Sequence, residues 1–168
     1  MGIIEERRSV RSFTDEAIDK EVLMRIVRAG MHAPNAYGCR PWEFLVITDK
    51  EGIARAAEVN PNCAPAKGAA ALVIPMYIAK KDRKVSDWLA QDMSACTQNI
   101  LLKAHEEGLG GVWLGIYPRM DRVEYLREKF DIPQEALPFS LIALGHPAAE
   151  GKSGVREDAE VYFERYGK

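Results

Sequence analysis

The sequence predicts an α+β domain in which several helices pack on a modest sheet, and three observations support this prediction. The chain has 168 residues, a length typical of one domain, so a single domain is expected over residues 1–168. Helical and strand-like segments alternate along the chain without a repeat or a linker. An apolar run at 69–79 and a long amphipathic segment at 87–108 supply a buried strand and a large helix. This combination is typical of an α+β domain or a three-layer α/β domain.

The first predicted elements are helical. A short helix is expected at residues 3–8 and a longer one at 19–31, for which Asp19 is a candidate cap. In the longer helix the apolar positions recur at helical spacing and mark one buried face, which carries Val22, Leu23, Ile26, Val27 and Gly30. Pro34 and Pro41 then bracket a loop.

Two strands are predicted in the middle of the chain. They lie at 43–48 and 71–79, and a short helix at 50–58 and a turn-rich segment at 60–65 separate them. The second strand is apolar throughout, which indicates burial. Since a membrane-spanning helix needs about 20 apolar residues, this run is too short to be one.

The segment at 87–108 is the strongest predicted helix. Its apolar stripe consists of Leu89, Met93, Cys96, Ile100, Leu101 and Ala104, and Gly108 is typical of a helix C-terminus. A strand at 110–115, a helix at 121–130 and a strand at 139–145 follow. The polar residues 146–168 are expected to be extended or to form a short helix.

Composition disfavours several classes of function. The chain carries 23 basic and 25 acidic residues, a net charge of −2, so no strong field favours nucleic acid or an anionic membrane. Its three cysteines are far apart and form no CxxC pair, which suggests reduced thiols in a cytoplasmic protein. No signal peptide is evident at the N-terminus. The phosphate, dinucleotide, zinc-protease and serine-hydrolase motifs are all absent, so metal-dependent or triad hydrolysis is disfavoured.

The segment Glu-Arg-Arg-Ser-Val-Arg at 6–11 concentrates hydrogen-bond donors. Three guanidiniums and one hydroxyl lie within five residues, and the planar fork of arginine suits phosphate or carboxylate oxygens. The donors are Arg7, Arg8, Ser9 and Arg11. The alternative is a solvated basic turn whose charge Glu5 and Glu6 offset.

Three further segments are candidates for a binding site. The loop at 33–42 carries tyrosine, tryptophan, arginine and asparagine, although it could instead be a structural turn that anchors a strand. The glycines at 108–115 would allow a flat ligand to approach the backbone closely. A helix cap and a tight strand entry explain Gly108 and Gly110 equally well, but explain Gly115 less well. Lys152 and Arg156 are either a second arm on a phosphate or ordinary surface charge.

Four stretches together resemble the FMN-dependent nitroreductase family, in particular its short single-domain members. They are ERRSVRSF at 6–13, APNAYGCRPWEFLVIT at 33–48, SDWLAQDMSACTQNILLKAHEEGLGGVWLGIYP at 86–118 and PFSLIALGHPA at 138–148. One such motif would be weak evidence, whereas four in register along the chain are specific.

This resemblance implies a fold, an assembly and a cofactor. The family fold is an α+β sandwich of three layers, α/β/α, and its members form an intertwined homodimer with two FMN molecules at the interface. Each site would take residues from both protomers, and the helix at 87–108 would be the central packing helix. NADH or NADPH would be the electron donor, and neither nucleic acid nor a membrane is an expected partner.

The resemblance also assigns residues to FMN. Around its phosphate and ribityl chain these are Arg7, Arg8, Ser9, Arg11, Lys152 and Arg156, of which Arg8 and Arg11 could also reach the pyrimidine edge. Leu114 and Gly115 would lie near N5 of the ring, and Asn62 is a further contact. The residues expected to pack on the flavin from the other protomer are Pro34, Asn35 and Ala36.

The implied activity is an NAD(P)H-dependent oxidoreductase. Hydride transfer to flavin N5 would be followed by reduction of a flat, electron-poor acceptor, such as a nitroaromatic or a quinone, in ping-pong order. No catalytic side chain is required, because the flavin carries the chemistry. Tyr37 and Arg40 are candidates for the substrate site, and Gly38 and Arg40 stand where the family often has Asn and Gln.

Two alternatives remain open at this stage. One is a dehalogenase or a flavin-modifying enzyme on the same scaffold, although the short connection from Lys80 to Asp87 leaves no room for the large lid of such relatives. The other is a flavin-binding protein without enzymatic activity.

Overall fold

The computed structural model describes residues 2–79, 86–149 and 159–167. Its helices are α1 (Ile3–Glu6), α2 (Lys20–Met31), α3 (Lys50–Ala57), α4 (Leu89–Glu106) and α5 (Met120–Phe130). Its strands are β1 (Trp42–Ile47), β2 (Ala71–Ile78), β3 (Gly110–Gly115), β4 (Ala136–Pro138) and β5 (Ser140–Gly145). Short 3₁₀ turns lie at Ala36–Gly38, Pro61–Gly68 and Ser86–Trp88. None of the helices in these ranges is long and apolar enough to span a membrane.

The strands form one antiparallel sheet in the order β1-β2-β5-β3, and β4 pairs with the end of β2. Strands β1 and β3 therefore lie at opposite ends of this order. Neighbouring strands lie about 4.8 Å apart, so roughly 14 Å separates β1 from β3 across the sheet. This separation matters for the site, because the loop at 33–42 leads into β1 whereas the glycine-rich segment becomes β3.

The side chains of β2 alternate between two cores, as the two-residue period of a strand requires. Leu72, Ile74 and Ile78 belong to the core that includes side chains of α3 and α5. Val73 and Tyr77 belong to the core that includes side chains of α2 and α4. The sheet is thus the middle layer of an α/β/α sandwich, which confirms the predicted fold class.

The helix ends differ locally from the predictions. The first helix ends at Glu6 rather than at residue 8, because Arg7 adopts an extended conformation with ψ 134°. Asp19 is the N-cap residue of α2, as predicted; its carbonyl accepts a hydrogen bond from Leu23 N at 3.0 Å, and its side chain makes no capping hydrogen bond. Gly108 follows α4 with φ 77°, the left-handed conformation expected after a helix C-terminus.

The C-terminal strand is interrupted, which the sequence did not predict. Strand β5 begins at Ser140, one residue later than expected, and the additional strand β4 precedes it. Between them Phe139 N donates to Pro75 O at 2.9 Å. Because Pro75 has no N–H to return the bond, the ladder on β2 breaks at this point.

Candidate functional site

The arginine-rich segment lies in extended form along β3. Ser9 pairs with Gly111 in parallel orientation, and Val10 N donates to Gly111 O at 3.0 Å. The side chain of Val10 covers Gly110, where an added Cβ would lie 2.7 Å from Val10 Cβ. A glycine is therefore required at 110 for the segment to dock, and docking places Arg7 and Arg11 at its two ends.

A cleft of about 350 Å³ lies beside the C-terminal end of β3, and it is called the β3 cleft below. It brings together four of the predicted residues, Arg11, Asn62, Leu114 and Gly115. The remaining lining residues were not predicted; they are Asn60, Cys63, Pro65, Val112, Trp113 and Arg122. Among these described lining residues two are cationic and none is acidic, so the cleft suits a ligand that carries or gains negative charge.

Gly115 is the residue of the cleft for which the fold itself gives no reason. It is exposed at the end of β3, its φ lies outside the left-handed region, and no described atom lies within 4 Å of an added Cβ. A side chain would therefore be tolerated by the chain alone, but it would project into the open space of the cleft. A flat ligand that lies against the backbone would require glycine here.

A second cavity of about 510 Å³ lies at the other end of the segment, and Arg7, Arg8 and His105 contribute to its lining. The Nε atom of Arg7 is buried without a hydrogen-bond partner in the described part of the chain. A buried donor without a partner costs about 1–3 kcal/mol, so Arg7 is suited to an acceptor that the described residues do not supply. Arg8 is engaged locally, because its Nη1 donates to the carbonyls of Glu5 and Arg7, each at 3.0 Å.

The thiol of Cys63 forms part of the cleft wall. Burial raises its pKa, and this outweighs the opposite effects of a hydrogen bond from Asn60 Nδ2, at 3.0 Å, and of the charge on Arg122. The thiol is therefore protonated at neutral pH. Because the thiolate is the nucleophilic form, this environment does not activate Cys63 as a nucleophile.

The loop at 33–42 lies at the β1 edge, away from the β3 cleft. Asp92 on α4 accepts a hydrogen bond from Ala36 N at 3.0 Å, and Asn35 Oδ1 accepts one from Arg40 N at 2.8 Å. Tyr37 and Arg40 both have φ near 50°, a costly conformation for residues other than glycine. Within one chain, the predicted residues Pro34, Asn35, Ala36, Tyr37 and Arg40 are therefore not part of the β3 cleft.

Two predicted residues, Lys152 and Arg156, lie outside the described residues.

Among the residues of the β3 cleft that were not predicted, Asn60 had a signal in the sequence. Asn before Pro-Asn favours a side-chain cap, and Asn60 Oδ1 accepts a hydrogen bond from Asn62 N at 2.9 Å. Arg122 had none, because in a polar helix it resembles an ordinary surface charge.

The fold is an α+β sandwich in which the docked N-terminal segment runs between a cavity lined by Arg7, whose Nε is a buried donor without a partner among the described residues, and the β3 cleft with the open backbone of Gly115. The sequence model of the Nitroreductase family matches residues 4–77 and 60–146. The chain belongs to the nitroreductase family.

Similar proteins carry related names. A "Putative NADH dehydrogenase/NAD(P)H nitroreductase" of Methanothermobacter thermautotrophicus is 38% identical over 97% of this chain and 85% of its own length. A solved "Putative NADH Oxidase" from Clostridium acetobutylicum has a TM-score of 0.94 and 35% identity, covering 98% of this chain and 100% of its own. An "FMN-dependent Nitroreductase" from Clostridium difficile has a TM-score of 0.89 and 28% identity, covering 98% and 99%.

These similarities confirm the family predicted from the sequence and its three-layer fold. The names of the relatives also bear out the expected class of enzyme, an NAD(P)H-dependent oxidoreductase.

Proposed function

We propose that this protein is an FMN-dependent oxidoreductase that takes electrons from NADH or NADPH and passes them to a flat, electron-poor acceptor such as a nitroaromatic or a quinone. The observation that carries the proposal is the combination of two features, at Arg7 and at Gly115. Arg7 has a buried donor without a partner among the described residues, and Gly115 has open backbone. The N-terminal segment that docks on β3 runs between the two positions.

The residues fit FMN at both of its ends. A phosphate near Arg7 would satisfy the orphaned Nε, and the exposed hydroxyl of Ser9 lies two residues further along the same extended segment. The isoalloxazine ring would lie in the β3 cleft against the backbone of Leu114 and Gly115, where a Cβ added to the glycine would intrude. Arg11 would face the pyrimidine side of the ring, with Asn62 as a further contact.

When bound, FMN supplies two-electron chemistry by accepting hydride and passing the electrons on. The chain binds and orients it, and no side-chain acid or base is needed for that exchange. Because donor and acceptor would use the same face of the ring, the kinetics are expected to be ping-pong. Tyr37 and Arg40 remain our candidates for contact with the acceptor.

We further propose a homodimer in which the loop residues Pro34, Asn35 and Ala36 reach the partner's flavin. Their position at the β1 edge of the sheet supports this. The loop does not line the β3 cleft of its own chain, so it could contact a flavin bound to the partner. The exposed apolar side chains of residues 159–167 also support an interface, since Phe163 is 75% exposed and Tyr166 is 90% exposed.

A groove of about 740 Å³ beside β1 is a fitting place for these aromatic side chains in the dimer. Met24, Met31 and Phe44 line it together with Arg40, so the aromatic side chains would approach the proposed acceptor contact; within the described part of the chain β1 pairs with β2 alone. The double variant Phe163→Ala/Tyr166→Ala should therefore shift the protein from dimer to monomer in light scattering. A dimer of unchanged stability would contradict this interface.

The proposed activity is tested by the visible absorption spectrum of the purified protein, before and after anaerobic addition of NADH and then NADPH. We expect a flavin spectrum that bleaches with at least one donor. A flavin spectrum that persists with both donors would favour the flavin-binding protein without enzymatic activity. No flavin binding even after added FMN would contradict the proposed function.

A further inference from the structure

Arg122 makes an unusual contact at the edge of the β3 cleft. It lies in the first turn of α5, and its side chain returns across seven residues so that Nη1 donates to the carbonyl oxygen of Gly115 at 2.6 Å. Both residues line the cleft. Arg122 therefore holds the backbone at Gly115, the glycine among the described residues that line the cleft.

The fold does not need this contact to connect β3 with α5. The connection is already closed by backbone hydrogen bonds, from Arg119 N to Ile116 O and from Arg122 N to Arg119 O, each at 3.0 Å. Moreover, a cation in the first turn of a helix opposes the helix dipole. A residue that is unfavourable for its own helix and lines a cleft is more readily explained by function than by stability.

The charge of Arg122 acts within the cleft. Burial raises the pKa of the Cys63 thiol, and the charge of Arg122, which lines the same cleft, acts in the opposite direction. With Arg11 it gives the lining two permanent positive charges, because a guanidinium does not deprotonate in proteins. Arg119, three residues earlier, instead pairs with Asp121 at 3.1 Å, is exposed, and is not part of the lining.

We propose that Arg122 is a positioning residue for the flavin ring: its guanidinium fixes the Gly115 carbonyl and keeps a positive charge beside the ring. The proposal rests on the proposed function. A fixed cation next to the ring favours the negative charge gained on reduction and so raises the reduction potential. The fixed carbonyl keeps the adjacent backbone flat against the ring and so strengthens FMN binding.

The test compares three variants in the FMN-loaded full-length protein. Arg122→Gln removes the charge, Arg122→Lys keeps the charge but not the planar fork, and Arg119→Gln is the matched control at the residue before α5. The measurements are the dissociation constant of FMN, the midpoint potential from an anaerobic dye titration, and the Tm of the flavin-free protein. The midpoint potential compares the affinities for reduced and oxidised flavin, so a loss of structure that weakens both equally leaves it unchanged, whereas loss of a nearby charge lowers it.

For Arg122→Gln we expect FMN to bind several-fold more weakly and its two-electron reduction to become about tenfold less favourable, a fall of about 30 mV in potential. Arg122→Lys should keep the wild-type potential while binding FMN more weakly. Arg119→Gln should match wild type in both.

Different results separate this proposal from the proposed function. Wild-type protein that binds no FMN would overturn both. Wild-type protein that binds FMN, with Arg122→Gln at the wild-type potential and affinity, would overturn the role of Arg122 alone. If Arg122→Gln does not fold, the FMN affinity of Arg122→Lys tests the proposal instead. An affinity of Arg122→Lys equal to that of wild type would overturn the positioning role.

Discussion

The side chain of Val10 lies directly over Gly110, so that a Cβ added at 110 would stand only 2.7 Å from Val10 Cβ. This contact seats the arginine-rich segment on β3. The contact also shows that two glycines of the same motif have different roles. Gly110 leaves room for the side chain of Val10, whereas Gly115 faces open space. The close backbone approach expected for a flat ligand therefore concerns Gly115.

Gly110→Ala should displace the segment that carries Arg7 and Arg11. Overpacking of this kind typically costs about 1–3 kcal/mol, and FMN affinity should fall with it because both arginines shift. Denaturant unfolding and FMN titration would measure the two effects. The control is Gly68→Ala, where an added Cβ meets nothing within 4 Å. Val10→Gly removes the clashing Cβ, so Gly110→Ala should cost less in a Val10→Gly background than in wild type. An equal cost in the two backgrounds would mean that the clash with Val10 is not the cause.

Gly115→Ala should separate folding from binding. Because the added Cβ meets no described atom, the flavin-free protein should be as stable as wild type, or more stable by about 0.4–1 kcal/mol through the unfolded chain. FMN affinity should nevertheless fall by about tenfold or more, since the methyl group would lie between the ring and the backbone. Equal FMN affinity would place the ring elsewhere.

Arg7→Ala and Arg8→Ala should have different effects, although the two residues are neighbours. Arg7 has the orphaned Nε, so its loss should weaken FMN binding by about 1.5–3 kcal/mol, the range for hydrogen bonds to charged groups. Arg8 donates to the carbonyls of Glu5 and Arg7, so its loss should mainly lower the Tm. A larger loss of FMN affinity for Arg8→Ala than for Arg7→Ala would reverse this assignment.

The ion pair between α2 and the end of α4 should make stability depend on acid pH. Hydrogen bonds from Arg25, at 3.0 and 2.7 Å, and from Lys103 lower the pKa of Glu107 from 4.5 to about 2. A carboxylate with a lowered pKa stabilises the fold above its ordinary pKa, and this contribution is lost as pH falls from 4.5 towards 2.

The destabilisation caused by Glu107→Gln, measured by denaturant unfolding, should therefore be present at neutral pH and shrink at about pH 3. Glu135→Gln, which removes an exposed carboxylate before β4, is the control. A difference between Glu107→Gln and wild type that does not change with pH would contradict the ion-pair explanation.

The parts of the fold with strong periodicity were predictable from the sequence. Apolar spacing predicted helices α2 and α4, and Gly108 predicted the end of α4. The glycine-rich segment predicted strand β3, and all three elements lie close to the expected positions. Strand β4 was missed because three residues are too few for an alternating pattern, and because the break at Phe139 depends on Pro75, which is distant in sequence.

The candidate site was only partly predictable, for the same physical reason. Arg11, Leu114 and Gly115 belong to local motifs, and they meet because the N-terminal segment docks on β3. Arg122 reaches the same cleft through its hydrogen bond to the Gly115 carbonyl, which no local sequence pattern indicates. The loop at 33–42 was recognisable, but its distance from the cleft follows from strand order, which the sequence did not indicate.

The central claim, that Arg7 and Gly115 hold the two ends of one FMN molecule, is tested most directly by titrating the flavin-free wild-type protein with FMN and with riboflavin. The two ligands share the ring and differ in the phosphate. We predict saturable binding of one FMN per chain and much weaker binding of riboflavin, by about a hundredfold, because riboflavin leaves the Arg7 donor unpaired. Equal affinity for the two ligands would contradict the claim.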